Sequence, residues 1–425
     1  MSLIISGSSL ANSLRQFIVS PAGILFISSN ITNAANLFFN MLFARLLGPE
    51  LFSDLALLLT LKLSAFALVS AVQLGCSKVV AAQNEETRDS SSAIAGMSKL
   101  SLSIALPFCA LIIIFSEAVA AFFSLENVTA LIIVTLGIPA LVPLSLYRGE
   151  GLGRLKMSRI VMSFQFEWIT RLFGAVALWY AGVGLIGIAL ALTASVYIAA
   201  IFASGEKDRA ALLNRQTGAL DDFKLLLTAS LPLATIQIAQ VMVLDGDFFI
   251  AKALLTDHEA GYVAALGLVQ RIFFFAFSSF AMLIVPMASK SFAGEGDHDK
   301  KGDLFKMVFA LAALAVLPLG LVTAFGELFV YLLFGSSFIP IGALSGFAAA
   351  TAICFSVVHL IVSYLVAIDK QFAAIVLIKL SIILLAILSY VATLYPSVTA
   401  IIVTKFIFMC AIALLALSVV RWEAA

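Results

Sequence analysis

The polar residues that could do chemistry in this sequence lie inside long apolar runs and recur at helical spacing. In "SSNITNAANLFFN", residues 28–40, Asn30, Asn33, Asn36 and Asn40 follow one another at intervals of three, three and four. At about 100° per residue, Ser29, Asn33, Asn36 and Asn40 fall within roughly 60° of one another, a stripe on one helix face with Asn30 at its edge. A second stripe runs through Gln237, Gln240, Leu244 and Asp247. Carboxamides both donate and accept hydrogen bonds. They can join packed membrane helices, or they can line a polar cavity suited to sugar hydroxyls. Five basic residues also stand within apolar segments: Lys62, Arg171, Arg271, Lys379 and Lys405. Buried cations of this kind face a protein interior or water, and together they could neutralise an anionic group such as a diphosphate. Internal pairing is the alternative. Glu167 lies one turn before Arg171, whereas Lys62, Arg271 and Lys379 have no acidic neighbour within a turn. Asp247 continues the second stripe and reads as an ion-coupling carboxylate for H+ or Na+. Asp245, close to Lys252, reads as half of an interfacial ion pair.

The elements that carry these residues follow from composition. The chain of 425 residues is 62% hydrophobic and only 12% charged, with a mean hydropathy of +1.12. A soluble domain has roughly 45–50% apolar and about 25% charged residues. The long apolar runs therefore predict an all-α polytopic membrane protein. Twelve transmembrane helices are expected near 20–44, 51–74, 96–122, 128–147, 160–181, 183–203, 224–251, 260–288, 304–333, 340–367, 371–394 and 397–420. Breakers separate them, among them "LGPE" at 47–50, "YRGEGLGRLKMSR" at 147–159 and "GEGDHDKKGD" at 294–303. Eighteen of the 25 basic residues, Arg15, Arg148 and Arg215 among them, fall in the N-terminus, the even-numbered connections and the C-terminus, against Arg45 and Lys252 in the odd-numbered ones. By the positive-inside rule both termini are expected to be cytoplasmic. The weak apolar start "MSLIISGSSLANSLRQFIVSPAG" lacks a clear cleavable signal and is expected to stay in the mature chain.

Several function classes are excluded. A net charge of +1 gives no electrostatic case for nucleic acid. Cys76, Cys109, Cys354 and Cys410 form no CxxC, and His258, His298 and His359 show no metal or triad spacing, so no metal site or cofactor is expected. Without a nucleotide-binding, hydrolase or metalloprotease fingerprint, the chain is not expected to be an enzyme.

The chain also repeats itself. "LLGPELFSDLALL" at 46–58 resembles "LLTDHEAGYVAAL" at 254–266. Near the same offset, Asn30, Asn33 and Asn40 answer to Gln237, Gln240 and Asp247, Lys62 to Arg271, Glu117 to Glu327, and Arg171 to Lys379. Lys405 has no counterpart. Two halves of six spans each insert the same way up, which predicts two parallel-repeat six-helix lobes, 1–210 and 211–425. Transporters built this way hold substrate between halves and expose it to either side in turn.

"ARLLGPELFSDLAL" at 44–57 and the region 244–290 resemble the polysaccharide-export branch of the multidrug/oligosaccharidyl-lipid/polysaccharide exporter (MOP) superfamily, as do the turns "YRGEGLGRLKM" at 147–157 and "YLVAIDKQ" at 364–371. Ser53 departs from the glycine often found there, while Gly261 keeps it. The resemblance implies lobes around a central cavity faced by spans 1 and 7. It implies a flippase that moves undecaprenyl-diphosphate-linked oligosaccharide repeat units, as in O-antigen biosynthesis, across the bacterial inner membrane. A cationic family cavity suits Lys62, Arg271 and Lys379, and Asp247 matches a carboxylate common in the family's span 7. The expected partners are that lipid-linked oligosaccharide, membrane lipids and polysaccharide assembly proteins. A drug/cation antiporter of the same superfamily is the alternative; there an acidic, aromatic-lined cavity would be expected to dominate over lysines. A membrane glycosyltransferase or polymerase is opposed by the short odd-numbered connections, and a non-transporting scaffold stays open.

Overall fold

The computed structural model describes residues 20–81, 90–205, 220–292, 300–367 and 372–422. The basic residues Arg15, Arg88, Lys207, Arg209, Arg215 and Lys370, His298, and the start and connections that hold them lie outside the described residues.

Every regular element among the described residues is helical. In order they are α1 (Pro21–Ala81), α2 (Ser90–Ile114), α3 (Ser116–Phe122), α4 (Val128–Gly153), α5 (Met157–Tyr180), α6 (Gly184–Ala203), α7 (Leu220–Leu254), α8 (Asp257–Phe292), α9 (Lys300–Ala324) and α10 (Gly326–Phe334). A 3-10 turn at Ser336–Leu344 then leads into α11 (Ser345–Ala367), α12 (Phe372–Leu394) and α13 (Val398–Trp422). Nine of these helices are long and apolar enough to cross a membrane, ten if the bent pair α9–α10 is one span. The first, α1, is kinked at Gly48, where φ is +69°, and so covers the first two expected spans. The helix α5 carries Arg159, Glu167 and Arg171, which make it one of the less apolar helices. The helices thus fall where the twelve spans were expected, in a multi-pass membrane protein. Uncovered side chains such as Phe309, Leu317, Leu414 and Ile104 make an apolar exterior that water would not tolerate but lipid does.

Local chemistry sets the helix ends. Asn127 caps α4, its side-chain oxygen accepting from the Ala130 N–H at 3.1 Å. Gly182 and Gly184, at φ +80° and +64°, form the tight turn between α5 and α6.

The internal repeat is visible in the breaks. Helix α2 stops at Ile114 and resumes at Ser116 as the short α3. Helix α9 stops at Ala324 and resumes at Gly326 as α10, bent by 86°. Glu117 and Glu327 occupy the first turn of α3 and α10, where a carboxylate is favoured by the helix dipole.

The chain forms two compact units. Unit 1 comprises Met1–Phe39, Lys62–Ala120 and Asn127–Ala234, and unit 2 comprises Asn40–Leu61, Ala121–Glu126 and Thr235–Ala425. The segment Asn40–Leu61, which spans the Gly48 kink, therefore groups with the later part of the chain.

In unit 1 the core gathers Cys76, Leu141, Leu144, Val196 and Leu226. The run "YRGEGLGRLKMSR" differs from its expected role as a breaker, because α4 continues through Gly153. Its glycines serve close packing. A Cβ at Gly149 would run into the Gln73 carbonyl and Cys76, and one at Gly153 into the Ser77 carbonyl and Val80. That is the small-xxx-small device by which membrane helices approach closely. Hydrogen bonds from Thr193 to the Ile133 carbonyl (2.7 Å) and from Tyr197 to the Leu136 carbonyl (2.8 Å) join α6 to α4.

In unit 2, Phe274 of α8 stacks on Phe355 of α11, with ring centres 5.1 Å apart. Cys354 and Cys410 bring their sulfurs within 3.7 Å between α11 and α13, while Cys76 and Cys109 are buried. Gly261 lies so close to the Pro49 backbone that any Cβ would strike it.

Candidate functional site

Unit 1 concentrates positive charge around one carboxylate. Arg148 of α4 donates from Nη2 to Glu167 Oε2 at 2.8 Å and from Nε to Ser163 Oγ at 3.0 Å. Its guanidinium also lies over the Phe164 ring, 4.2 Å from the centroid. Lys62 Nζ stands 3.8 Å from Glu167 Oε1, and Arg171 Nη2 stands 3.9 Å from the same atom. Both separations exceed a hydrogen bond. Lys62 additionally donates to the Leu192 carbonyl at 3.3 Å. The group therefore has a sealed base and a more open face. The Arg148 side chain is 1% exposed, whereas Lys62, Arg171 and Glu167 keep 9%, 11% and 12%. Among the described residues, three cations against one carboxylate leave two formal positive charges in excess. Uncompensated charge is costly in a low-dielectric setting, and an added anion would relieve that cost.

In unit 2, Arg271 and Lys405 each meet a carboxylate on another helix. Arg271 donates from Nε to Asp245 Oδ1 at 3.0 Å, and its Nη2 reaches the same oxygen. Lys405 Nζ lies 2.7 Å from Asp247 Oδ2, with both side chains 1% exposed. The ammonium also donates to Gln270 Oε1 at 2.7 Å and the Leu244 carbonyl at 3.4 Å. Beside the first pair is a water-sized cavity of about 20 Å³ lined in part by Asn40, Thr60, Asp245 and Arg271. A third group holds Lys252, which pairs not with Asp245 but with Asp54 at 2.7 Å and with Asp257, and reaches Ser53 Oγ at 2.8 Å. The departure at Ser53 thus supplies a hydroxyl to a buried ammonium.

The structure brings together some of the residues singled out from the sequence. Lys62 and Arg171 meet in unit 1, while Asn40, Arg271, Asp247 and Lys405 belong to unit 2. Lys62 and Arg271, which have no acidic neighbour within a turn of their own helices, each approach a carboxylate on another helix. Asn33 is uncovered, and Asn36, Gln237 and Gln240 are half-buried on α1 and α7. Lys379 is uncovered on the same face of α12 as Ile375, Val376 and Ile382, and takes no part in these clusters. Sequence reasoning missed Arg148, which was assigned to a connection, and Gln270. Among the described residues no three His, Cys, Asp or Glu side chains come together as a metal site.

No protein-family model matches the chain, and no curated protein matches it in sequence. Solved structures do match in shape. The inward-facing conformation of a multidrug resistance MATE family transporter of the MOP superfamily superposes with a TM-score of 0.75 at 14% identity, covering 92% of this chain and 94% of that one. The lipid II flippase MurJ in its inward closed conformation superposes at 0.71 and 14% identity, covering 94% and 87%. The eukaryotic MATE transporter AtDTX14 superposes at 0.67 and 12% identity, covering 97% and 96%. This chain has the MATE–MurJ fold. Within that fold the compensated and uncompensated charge clusters are features of this chain's own residues.

Proposed function

We propose that the protein is a flippase that translocates undecaprenyl-diphosphate-linked oligosaccharide repeat units, of O-antigen or a related polysaccharide, across the bacterial cytoplasmic membrane. The observation that carries this reading is the excess of two positive charges at Lys62, Arg148, Arg171 and Glu167. A diphosphate bridging lipid and sugar carries roughly two negative charges, one on each phosphate. It would bring the cluster to neutrality, with Lys62 and Arg171 on the open face as its direct partners. Within unit 1, the half-buried Asn36 and the uncovered Asn33 are amides suited to sugar hydroxyls. Alternating access of the two repeat halves, 1–210 and 211–425, coupled to an H+ or Na+ gradient through Asp247, would move the head group while the prenyl tail stays in lipid.

The MATE fold raises the drug/cation antiporter as a second reading, since two of the matching structures are MATE transporters, one of them a multidrug resistance protein. A cationic drug would be repelled by the unit 1 cluster, whereas the lipid II flippase shares the fold and its name specifies a lipid-linked substrate. Reconstitution into vesicles with a fluorescent diphosphate-linked oligosaccharide lipid tests the proposal. Translocation by the wild-type protein, and its loss in a stable Lys62→Ala/Arg171→Ala variant, is expected. Equal translocation by the two proteins would overturn it.

A further inference from the structure

We infer that Glu167 is a specificity-determining residue that sets the unit 1 cluster to a net charge of two, so that it selects a glycosylated diphosphate over a free prenyl diphosphate. The inference rests on the reading that Lys62 and Arg171 hold the diphosphate. A diphosphate esterified at both ends carries roughly two negative charges, while a terminal phosphate adds roughly another half to one charge. In a desolvated site a ligand that leaves one unmatched charge is penalised, and the penalty grows as the local dielectric falls.

Geometry assigns this role to Glu167 rather than to a plain ion pair. Its Oε2 is taken by Arg148, which Ser163 and Phe164 hold in place from the buried side. Its Oε1 faces Lys62 and Arg171 at 3.8 and 3.9 Å, beyond hydrogen-bond distance from both. The carboxylate therefore lowers the charge of the two open-face cations without occupying their donors. Lys62 gives one donor to the Leu192 carbonyl, and neither cation spends a hydrogen bond on the carboxylate itself. Arg148 is a positioning residue: it fixes the carboxylate, and its own charge enters the total.

Changing that total should change which ligand is preferred. Glu167→Gln raises the net charge to three, Arg148→Gln lowers it to one, and Arg148→Gln/Glu167→Gln restores two with both partners neutral. The probes are farnesyl diphosphate and farnesyl-diphospho-N-acetylglucosamine, titrated calorimetrically into the full-length protein in nanodiscs. Wild type is expected to favour the glycosylated probe. Glu167→Gln should bind both more tightly and shift the Kd ratio by about tenfold or more towards the free diphosphate. Arg148→Gln should bind both more weakly and shift the Kd ratio severalfold further towards the glycosylated probe. The double variant should return to the wild-type ratio, and the opposite shifts of the two single variants that cancel in it are what a purely structural role for Glu167 would not produce. Where Glu167→Gln fails to fold, the ratios of Arg148→Gln and the double variant decide.

A ratio that stays constant across the series overturns the inference while leaving the diphosphate reading intact, provided Lys62→Ala/Arg171→Ala abolishes binding. If that double variant binds as wild type does, or if wild type binds neither probe, the diphosphate reading falls and this inference falls with it.

Discussion

Lys62 and Arg271 stand at matching positions of the repeat and meet different partners. Lys62 shares Glu167 with Arg148 and Arg171, and its nearest carboxylate oxygen is 3.8 Å away. Arg271 has Asp245 to itself, hydrogen-bonded through Nε at 3.0 Å. The same repeat position thus sits in a shared, cation-rich group in unit 1 and in a hydrogen-bonded ion pair in unit 2. A hydrogen-bonded pair neutralises its own charge and leaves no net surplus for an anion. A shared carboxylate leaves charge over, and that surplus is what an anion can use.

The contrast can be broken at several points. The largest effect is expected from Lys62→Ala/Arg171→Ala: loss of diphosphate-lipid translocation in vesicles with normal membrane insertion by fluorescence-detected chromatography. The buried Asp247–Lys405 pair should also respond through stability, whatever coupling role the carboxylate has. Lys405→Met leaves Asp247 buried and unpaired, a cost of roughly 3–5 kcal/mol, and Asp247→Asn/Lys405→Met should recover most of it. Thermal unfolding of the purified variants would show a large drop followed by a rescue. No rescue would mean that the loss is not one of charge pairing. Gly261→Ala should destabilise unit 2 by about 1–3 kcal/mol because the methyl group strikes the Pro49 backbone. The same melting assay reads it, and an unchanged melting temperature would contradict the close approach. Lys379→Gln should be the mildest, within about 0.5 kcal/mol of wild type and with unchanged probe binding, because the side chain lies uncovered on α12. A binding defect there would bring Lys379 back among the substrate contacts.

The helices and the repeat were legible in the sequence because hydropathy and helical period are local properties. The broken helices α2–α3 and α9–α10, each followed by a glutamate in the next turn, bear out the spacing between Glu117 and Glu327. The charge clusters were not legible, because their partners come from helices distant in sequence. Glu167 was seen as a neighbour of Arg171 on one helix, but its reach to Lys62 depends on how α5 packs beside α1. Arg148 was hidden for a different reason. Three glycines in "YRGEGLGRLKM" look like a turn, and only the fit of Gly149 and Gly153 against residues 73–80 keeps α4 helical through that point. Gly149 and Gly153, four apart, were the available signal.

The buried ammonium of Lys252 has a consequence for how the protein is made. Its partner Asp54 lies 198 residues earlier in the chain. At the usual 5–20 residues per second, the ribosome delivers the lysine about 10–40 s after the aspartate. Until then Asp54 and Ser53 lack the ammonium they meet in the folded chain. A chain released at residue 210 would carry the aspartate and never receive the lysine. The first half is therefore a poor candidate for separate expression, and the second half, lacking residues 40–61, is no better.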